Sequence, residues 1–358
     1  GSGASLPAIE LMGTTFNNLK HDVGDGTVTQ KRQFKECFNK YLKLFSSSAD
    51  IDNIEEYLSW LNSNLDANPN SKKYASVRSY VLKNFCKSIS IDYRTAISRQ
   101  VLDNYRRFFQ GFGVSRQLLA MTKSPLYDII NVFTTNYDLF IEQALISSGY
   151  QYSDGFTNGI KNTFSTREFH QRPIDLEERF RDLYQPINPF FRLYKLHGSV
   201  NWICDEDGVV CRKPCFYDDI KIDELPDNLM IMPSSSKYAS TQGSPYSDLF
   251  REFVDILSEP NSILVTTGFG FGDQHITDLI QQALARTDFT LYAFISKRET
   301  GKHNPAQDFA ESNSRPNAYF IYPNDMNACP HFRFSDMAEI FGPEEELLGI
   351  LDGDGSAA

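Results

Sequence analysis

Short apolar segments that alternate with helical runs are the feature that most constrains how this chain folds. The apolar segments are residues 129–135, 190–198, 228–233, 262–269, 289–296 and 318–323. Amphipathic runs typical of helices lie between several of them, at residues 138–149, 247–259 and 273–285. Strands and helices in alternation predict a parallel sheet that is covered by helices on both faces.

The sequence therefore predicts an α/β fold with a doubly wound, mostly parallel, Rossmann-like sheet. The first part of the chain differs, because it carries apolar residues at three- and four-residue spacings, as in QFKECFNKYLKLF, and this predicts a large helical insertion. We expect residues 1–9 and 126–325 to form the sheet domain, residues 10–125 a helical subdomain inserted after the first glycine turn, and residues 326–358 a C-terminal extension.

The charge and the cysteines limit the classes of partner. The chain has 35 Lys and Arg against 46 Asp and Glu, a formal net charge of -11. Because an acidic surface repels phosphate backbones, we expect no direct nucleic-acid partner. No run of about 18 apolar residues is present, so no membrane span is expected. The six cysteines are scattered, which favours a reducing cytoplasm over a disulfide framework.

Three of the cysteines are clustered, and they are the only candidates for a metal site. Cys204, Cys211 and Cys215 fall within twelve residues, but none of them forms a C-x-x-C pair. A fourth ligand would have to come from a distant part of the chain. We therefore predict no metal.

Four sites at predicted strand ends carry residues suited to chemistry, since ligands of doubly wound sheets bind where the strands end. The first is GSGAS, residues 1–5. A Gly-x-Gly turn lets backbone N–H groups approach a pyrophosphate, but the same residues also resemble a cloning remnant. If the turn is functional, the strand that should precede it lies upstream of Gly1, and the natural protein is expected to extend there.

The second and third sites are FTTNYD at residues 133–138 and KLHGS at residues 195–199. A turn in which Asp138 caps the following helix explains Asp138, but it does not explain an asparagine at position 136. His197 follows an apolar strand, and a histidine with an ordinary pKa of about 6.5 can accept a proton at neutral pH.

The fourth site is GFGFGD, residues 268–273, between a strand and a helix. Glycines at such a turn allow phosphate or ribose to approach the backbone closely. Asp273 stands at the N-cap of the helix, and His275 lies within its first turn. Capping alone accounts for Asp273 if that residue is considered by itself.

Taken in order, these four motifs resemble those of the sirtuin-like family. In that fold a glycine turn, a Thr-x-Asn-x-Asp turn, a Leu-His-Gly strand end and a later glycine-rich turn line one NAD pocket. The chain is most similar to the bacterial sirtuin-like proteins of anti-phage defence systems, which hydrolyse NAD and thereby deplete the infected cell. The resemblance implies a cytoplasmic NAD-cleaving hydrolase that releases nicotinamide and ADP-ribose.

The resemblance also implies roles for individual residues. His197 would act as the base and Asn136 would orient the ribose or the attacking water. Asp138, beside Thr135, would bind the nicotinamide carboxamide. The nucleotide would further be held by the residues of the two glycine turns, namely Gly3, Ala4, Ser5, Gly268, Phe269, Gly270, Asp273 and His275.

Two departures from the deacylating sirtuins bear on the activity. The zinc ribbon of two C-x-x-C pairs is missing, and LPAIELMGTTF stands where a Gly-Ile-Pro-Asp-Phe-Arg loop would follow the first turn. Without both features an acyl-lysine tunnel is hard to build. An NAD-dependent deacylase and a non-catalytic sensor of NAD or ADP-ribose remain as alternatives.

The resemblance also implies assembly, either with a HerA-type ATPase or as a homo-oligomer. Aromatic residues of the helical segment could supply the contact face if they are exposed, and could equally form the core of the helical subdomain. The residues in question are Tyr80, Tyr105, Phe108 and Phe109.

Overall fold

Helices fill the first third of the chain, and strands alternate with helices after it, in a computed structural model of the protein. The structure describes residues 1–45, 53–121, 129–180, 183–213, 243–296, 304–323 and 333–343. The helices are α1 (Met12–Lys20), α2 (Val28–Phe45), α3 (Ile54–Ala67), α4 (Lys72–Ile89), α5 (Ala96–Met121), α6 (Phe140–Ser147), α7 (Tyr246–Leu257), α8 (Gln274–Ala283), α9 (Pro305–Ser312) and α10 (Phe334–Phe341). The strands are β1 (Ile129–Thr134), β2 (Gln151–Ser153), β3 (Ile174–Phe180), β4 (Leu183–Pro186), β5 (Phe190–Lys195), β6 (Trp202–Cys204), β7 (Val210–Arg212), β8 (Ile263–Thr266), β9 (Thr290–Phe294) and β10 (Ala318–Ile321).

Most of the predicted elements are present. The helical prediction for residues 10–125 is confirmed by α1 to α5, and the three later helical runs form α6, α7 and α8. Five of the six apolar segments form β1, β5, β8, β9 and β10. The sixth, residues 228–233, lies outside the described residues.

Two three-stranded sheets are parallel, as predicted, and two further strand pairs, β3–β4 and β6–β7, are antiparallel. One parallel sheet has the order β1-β5-β2 and the other the order β10-β9-β8. The predicted α/β class and parallel pairing are therefore present, but the described residues form two small sheets and not one continuous doubly wound sheet. The edge strands β1 and β8 do not pair with each other, and this keeps the two sheets separate.

The helical region and the first sheet share one hydrophobic core. This core contains Phe16, Phe34 and Tyr57 from the helices together with Phe191 and Leu193 from β5. A second core packs α7, α8 and α9 against β8, β9 and β10, and it also includes Tyr194 of β5. Helical and sheet residues therefore bury the same apolar surface, which is the main source of their stability.

The proposed aromatic contact face is wrong. Tyr80, Tyr105 and Phe109 are 1%, 3% and 3% exposed, and Phe108 packs against the first core. A buried ring contributes its apolar area to folding and offers none to a partner. Large apolar side chains are exposed elsewhere, for example Leu176 and Leu183 on the antiparallel β3–β4 hairpin.

In the part of the chain that the structure describes, no helix combines the length and the apolar character needed to cross a bilayer.

Candidate active site

Two of the predicted site turns lie side by side because β1 and β5 are parallel neighbours. The register pairs Thr134 with Lys195 at the carboxyl ends of the strands. Beyond the strands, the Val200 amide donates to the Tyr137 carbonyl at 3.0 Å, and the Leu196 amide donates to the Thr134 carbonyl at 2.9 Å. The turn with Asn136 and the turn with His197 are thus joined through the backbone.

A buried hydrogen-bond network centres on the hydroxyl of Ser5. It donates to Asp138 Oδ2 at 2.8 Å and accepts from Asn136 Nδ2 at 3.1 Å. The phenol of Tyr105 lies 3.1 Å from the same oxygen. Because a hydroxyl has one proton, and the carboxylate takes it, the phenol is the donor to Ser5. Ser5, Asn136 and Asp138 are 1%, 7% and 5% exposed.

Asn136 has one polar atom left over. Its backbone amide donates to Thr134 Oγ1 at 3.1 Å and its side-chain nitrogen to Ser5. Its Oδ1 is buried and has no hydrogen-bond partner among the described residues. A buried acceptor that is left unpaired costs about 1 to 3 kcal/mol. A bound hydroxyl or water at this position would remove that penalty.

Asp138 is held from two sides. Its Oδ1 accepts the amide of Phe140, the first residue of α6, at 3.1 Å, while Oδ2 accepts from Ser5. The N-cap position of α6 is Leu139, and no side chain forms a cap hydrogen bond there, so the predicted capping by Asp138 is wrong. The Asp138 carboxylate instead closes a turn with the first amide of the helix. Each carboxylate oxygen can accept more than one hydrogen bond, so this turn does not prevent a ligand amide from binding there.

His197 contacts a carboxylate of the glycine-rich turn. Its Nε2 lies 2.9 Å from Asp273 Oδ2, and the two side chains are 9% and 10% exposed. Asp273 occupies the N-cap position of α8, but its side chain forms no cap hydrogen bond. The imidazole also lies near the ring of Tyr137, at 6.3 Å between centroids. The structure thus brings the third and fourth predicted sites together.

The two glycine turns touch each other. A Cβ on Gly3 would lie 3.5 Å from Gly268 Cα, and a Cβ on Gly268 would lie 3.0 Å from the Ala4 nitrogen. Gly268 has a φ of +61°, a conformation in which side chains are strained. The position of Gly268 is therefore restricted to glycine, whereas a Cβ on Gly3 would make only an ordinary van der Waals contact. The Ala4 amide donates to the Gly1 carbonyl at 3.0 Å, so it is already engaged within the turn.

Some predicted residues lie at the margin of this group. Gly270 is exposed, and Phe269 packs on Phe271 at 4.9 Å between centroids. The ring of His275 lies 6.3 Å from Phe250 of α7. Thr135 is half-buried beside Asn136. The predicted roles of these residues toward a nucleotide stay predictions.

Tyr105 from α5 is a site residue that sequence reasoning did not single out. Its ring stacks on that of Phe140, with 5.5 Å between the ring centroids and 5° between the ring planes. This packing places its hydroxyl next to that of Ser5. Burial, followed by the charge of Asp138, raises the pKa of Tyr105 well above its usual range. The phenol therefore stays protonated and keeps donating at neutral pH.

Lys195 and Glu142 are two further residues that the sequence did not reveal. Lys195 Nζ donates to Glu142 Oε1 at 2.8 Å and also to the backbone carbonyl of Asp138. The two side chains are 2% and 11% exposed. Burial raises the pKa of Glu142, and the Lys195 charge counteracts this. Through the bond of Lys195 to the Asp138 carbonyl, the pair holds the Asp138 turn in position.

The cysteine cluster is only partly described. Cys204 is exposed and Cys211 is buried, on the paired strands β6 and β7. Cys215 lies outside the described residues. Within the described ranges no group of three or more His, Cys, Asp or Glu could hold a metal. The prediction of no zinc remains a prediction for the whole chain.

A family model described as a SIR2-like domain matches residues 130–317, which is more than half of the chain. The chain belongs to the SIR2-like family. The predicted resemblance to sirtuins is confirmed at this level, and family membership supports an NAD-related activity. The matched range includes Asn136, His197 and Asp273 but excludes Ser5 and Tyr105. No curated protein matches the chain.

Proposed function

We propose that the chain cleaves NAD between nicotinamide and ribose and releases nicotinamide and ADP-ribose. One observation carries the proposal. Asn136 and His197 are buried on adjacent turns at the carboxyl ends of β1 and β5, and Asn136 Oδ1 has no partner among the described residues. An unpaired acceptor at a strand end, on the turn next to a buried histidine, is suited to receive a hydroxyl or water of a substrate.

Cleavage of NAD needs no general acid to protonate the leaving group. The pyridinium ring of NAD leaves as neutral nicotinamide and takes the electron pair of the N-glycosidic bond. A water molecule adds its oxygen to the ribose carbon, and one proton must be removed. In the proposed mechanism His197 accepts that proton and Asn136 orients the water or a ribose hydroxyl. Positioning and proton transfer of this kind each lower barriers by several kcal/mol.

The remaining residues would hold the substrate. The turns of Gly3 and Gly268 lie against each other, and we propose that a pyrophosphate binds along their backbone, which carries no side chain at either glycine. Asp138 would accept the carboxamide N–H of the nicotinamide ring while it continues to accept the Phe140 amide. Lys195 binds the Asp138 carbonyl and Tyr105 binds the Ser5 hydroxyl, and these bonds would keep both residues in position.

Hydrolysis is favoured over deacylation and over pure sensing. The sequence contains no C-x-x-C pair, and the segment after the first glycine turn forms α1 in place of a substrate loop. A sensor needs to bind NAD but has no need of a buried imidazole on the turn adjacent to that of Asn136. The buried His197–Asp273 contact is typical of a group that handles protons.

The test is to incubate the purified chain with NAD and to separate the products by liquid chromatography. We expect nicotinamide and ADP-ribose in equal amounts. NAD that binds but is not cleaved would support the sensor. Release of acetyl groups from an acetyl-lysine peptide, at the expense of NAD, would support the deacylase.

We further propose that this activity serves anti-phage defence and is controlled by assembly. The support is the similarity of the motifs, together with the toxicity of unrestrained NAD cleavage to the cell. Light scattering decides whether the chain forms homo-oligomers. Co-purification with a HerA-type ATPase, followed by an NAD assay of the complex, tests the alternative. A monomer that cleaves NAD at its full rate alone would argue against control by assembly.

A further inference from the structure

Asp273 is placed where a helix cap belongs, yet its side chain caps nothing. An N-cap aspartate accepts an amide of the first turn and stabilises the helix by about 1 kcal/mol. Here the side chain forms no such bond, and Oδ2 lies 2.9 Å from His197 Nε2. The contact is about nine-tenths buried, where a charge-assisted hydrogen bond is stronger than in water. The Asp273 carboxylate therefore binds the His197 imidazole and does not bind an amide of α8.

We infer that Asp273 fixes the tautomer of His197, so that Nδ1 is the basic nitrogen of the site. An ionised carboxylate can accept hydrogen bonds but cannot donate them. The proton of the neutral imidazole must therefore be on Nε2, which leaves the lone pair on Nδ1. Which ring nitrogen reacts is set by the bond that the other one makes. This inference rests on the proposed function for its role in NAD cleavage.

The other nearby carboxylate is committed elsewhere. Asp138 uses Oδ1 for the Phe140 amide and Oδ2 for the Ser5 hydroxyl. The main chain also restrains the imidazole, because Gly198 has a φ of +88° and its amide donates to the Lys195 carbonyl at 3.0 Å. Two carboxylates thus have separate tasks: Asp138 holds the turn and Asp273 holds the base.

The proton balance of the reaction follows directly. As water adds to the ribose carbon, its proton moves to Nδ1, and the imidazole becomes an imidazolium with both nitrogens protonated. The Nε2 proton stays in its hydrogen bond, and Asp273 stays ionised and stabilises the new positive charge. Asp273 is then a positioning residue that acts through His197, and its effect does not depend on contact with the nucleotide.

Nuclear magnetic resonance tests the tautomer without any assay of activity. Long-range proton–nitrogen spectra distinguish a protonated ring nitrogen from a bare one, and comparison with H197A assigns the signal among the six histidines of the chain. We expect the Nε2–H tautomer in the unmodified chain and its loss in D273A. An Nδ1–H tautomer in the unmodified chain would overturn the inference, whether or not NAD is cleaved.

A double-mutant cycle tests the route of action. We expect D273A and D273N each to lower kcat for NAD cleavage about 100-fold. The alanine removes the acceptor of the Nε2 proton. The asparagine amide can donate to Nε2 and so reverse the tautomer. In an H197A background, D273A should cause no further loss. An additional loss there, or a rise in KM alone, would show that Asp273 acts on the nucleotide directly.

Asp278 provides the matched control. It lies on the same helix, is exposed and bonds only locally, to Gln274 at 2.6 Å. D278A should leave both kcat and the tautomer unchanged. If the unmodified chain does not cleave NAD but shows the Nε2–H tautomer, the proposed function fails while the assignment of Asp273 stands.

Discussion

The hydroxyl of Ser5 binds three groups from two distant parts of the chain. Its partners lie 100, 131 and 133 positions away in sequence, at Tyr105, Asn136 and Asp138. Because Ser5 donates its single proton to a carboxylate, both other contacts depend on its lone pairs. The orientation of Asn136 therefore depends on the side chain of Ser5, whereas the sequence suggested a role only for the Ser5 backbone amide.

H197A and N136A should each abolish NAD cleavage while the protein stays folded. The first removes the base and the second the group that orients the reactants, so each should lower kcat at least ~100-fold. Product release, measured beside circular dichroism, checks this. Full activity in folded H197A would remove histidine from the mechanism.

Y105F should weaken the site without removing the buried ring. The ring keeps its stacking on Phe140, but the Ser5 oxygen loses a donor, which should lower the free energy of unfolding by about 1 kcal/mol. We also expect kcat for NAD cleavage to fall by more than a loss of about 1 kcal/mol would explain, because Asn136 binds the same Ser5 oxygen. Steady-state kinetics and urea unfolding measure the two effects.

Tyr57 gives the control for this substitution. It is fully buried, and its hydroxyl has no partner among the described residues. Removing an unpaired buried hydroxyl is neutral or stabilising. Y57F should therefore match or exceed the stability of the unmodified chain, with unchanged kinetics. Equal effects of Y57F and Y105F would contradict the role of the Ser5 network.

The sequence located Asn136, His197 and Asp273 because each follows a strand, and strand ends are local signals. It did not reveal Tyr105, which looks like any other aromatic residue of a long helix. Its position depends on how α5 packs on α6, and no local pattern encodes that. The partner of Asp273 was missed for the same reason, since capping explained the residue without any tertiary contact.

At the scale of elements, the Lys195–Glu142 pair joins the end of β5 to α6. Lys195 stands within an apolar strand, and its ammonium is 2% exposed. A buried cation is tolerated when carboxylate and carbonyl oxygens surround it, as they do here. The pair therefore fixes the helix to the strand immediately behind the Asp138 turn.

K195M should destabilise the fold by about 3 to 5 kcal/mol at neutral pH, because it leaves the Glu142 carboxylate buried and unpaired. Burial already raises the pKa of Glu142 above that of the unfolded chain, and losing Lys195 raises it further. The full penalty applies above this native pKa, declines as the pH falls from it, and is lost at the pKa of the unfolded chain. The deficit should therefore shrink toward the ordinary glutamate pKa of about 4.3.

Urea unfolding over a range of pH measures this deficit. The K195M/E142Q double variant should recover part of the stability at neutral pH, since no buried charge remains. K73M is the surface control, because the Lys73–Glu36 pair is 43% and 51% exposed and should contribute less than about 1 kcal/mol. A deficit in K195M that does not change with pH would contradict the explanation by the Glu142 charge.

The elements themselves were largely predictable, but their pairing was not. Apolar runs of six to nine residues marked the strands, and β1 and β5 follow them closely. The insertion of β5 between β1 and β2, and the separation into two sheets, depend on contacts between segments far apart in sequence. Short polar strands such as β2 carry too weak a pattern to be found.

At the scale of the molecule, the helical region and the first sheet behave as one packing unit. The ring of Phe109 in α5 packs on that of Phe191 in β5, with 5.7 Å between the ring centroids. Tyr105 of the same helix binds the Ser5 hydroxyl in the candidate site. The sequence predicted a separate helical subdomain, and those boundaries stay a prediction. A shared core implies that neither part buries its apolar surface without the other.

The two tryptophans make this testable, because one lies in each hydrophobic core. Trp60 is 8% exposed in the helical region, and Trp202 is 2% exposed beside the site. W202F leaves Trp60 as the only fluorescent probe of its kind, and W60F leaves Trp202. Within each variant we expect fluorescence and far-ultraviolet circular dichroism to give the same urea midpoint, because the two cores unfold together. If Trp202 in W60F loses its native signal at a clearly lower urea concentration than the helical signal, the site opens separately from the helical region. The second core would then unfold as a unit separate from the first core, which the helical region shares with β5.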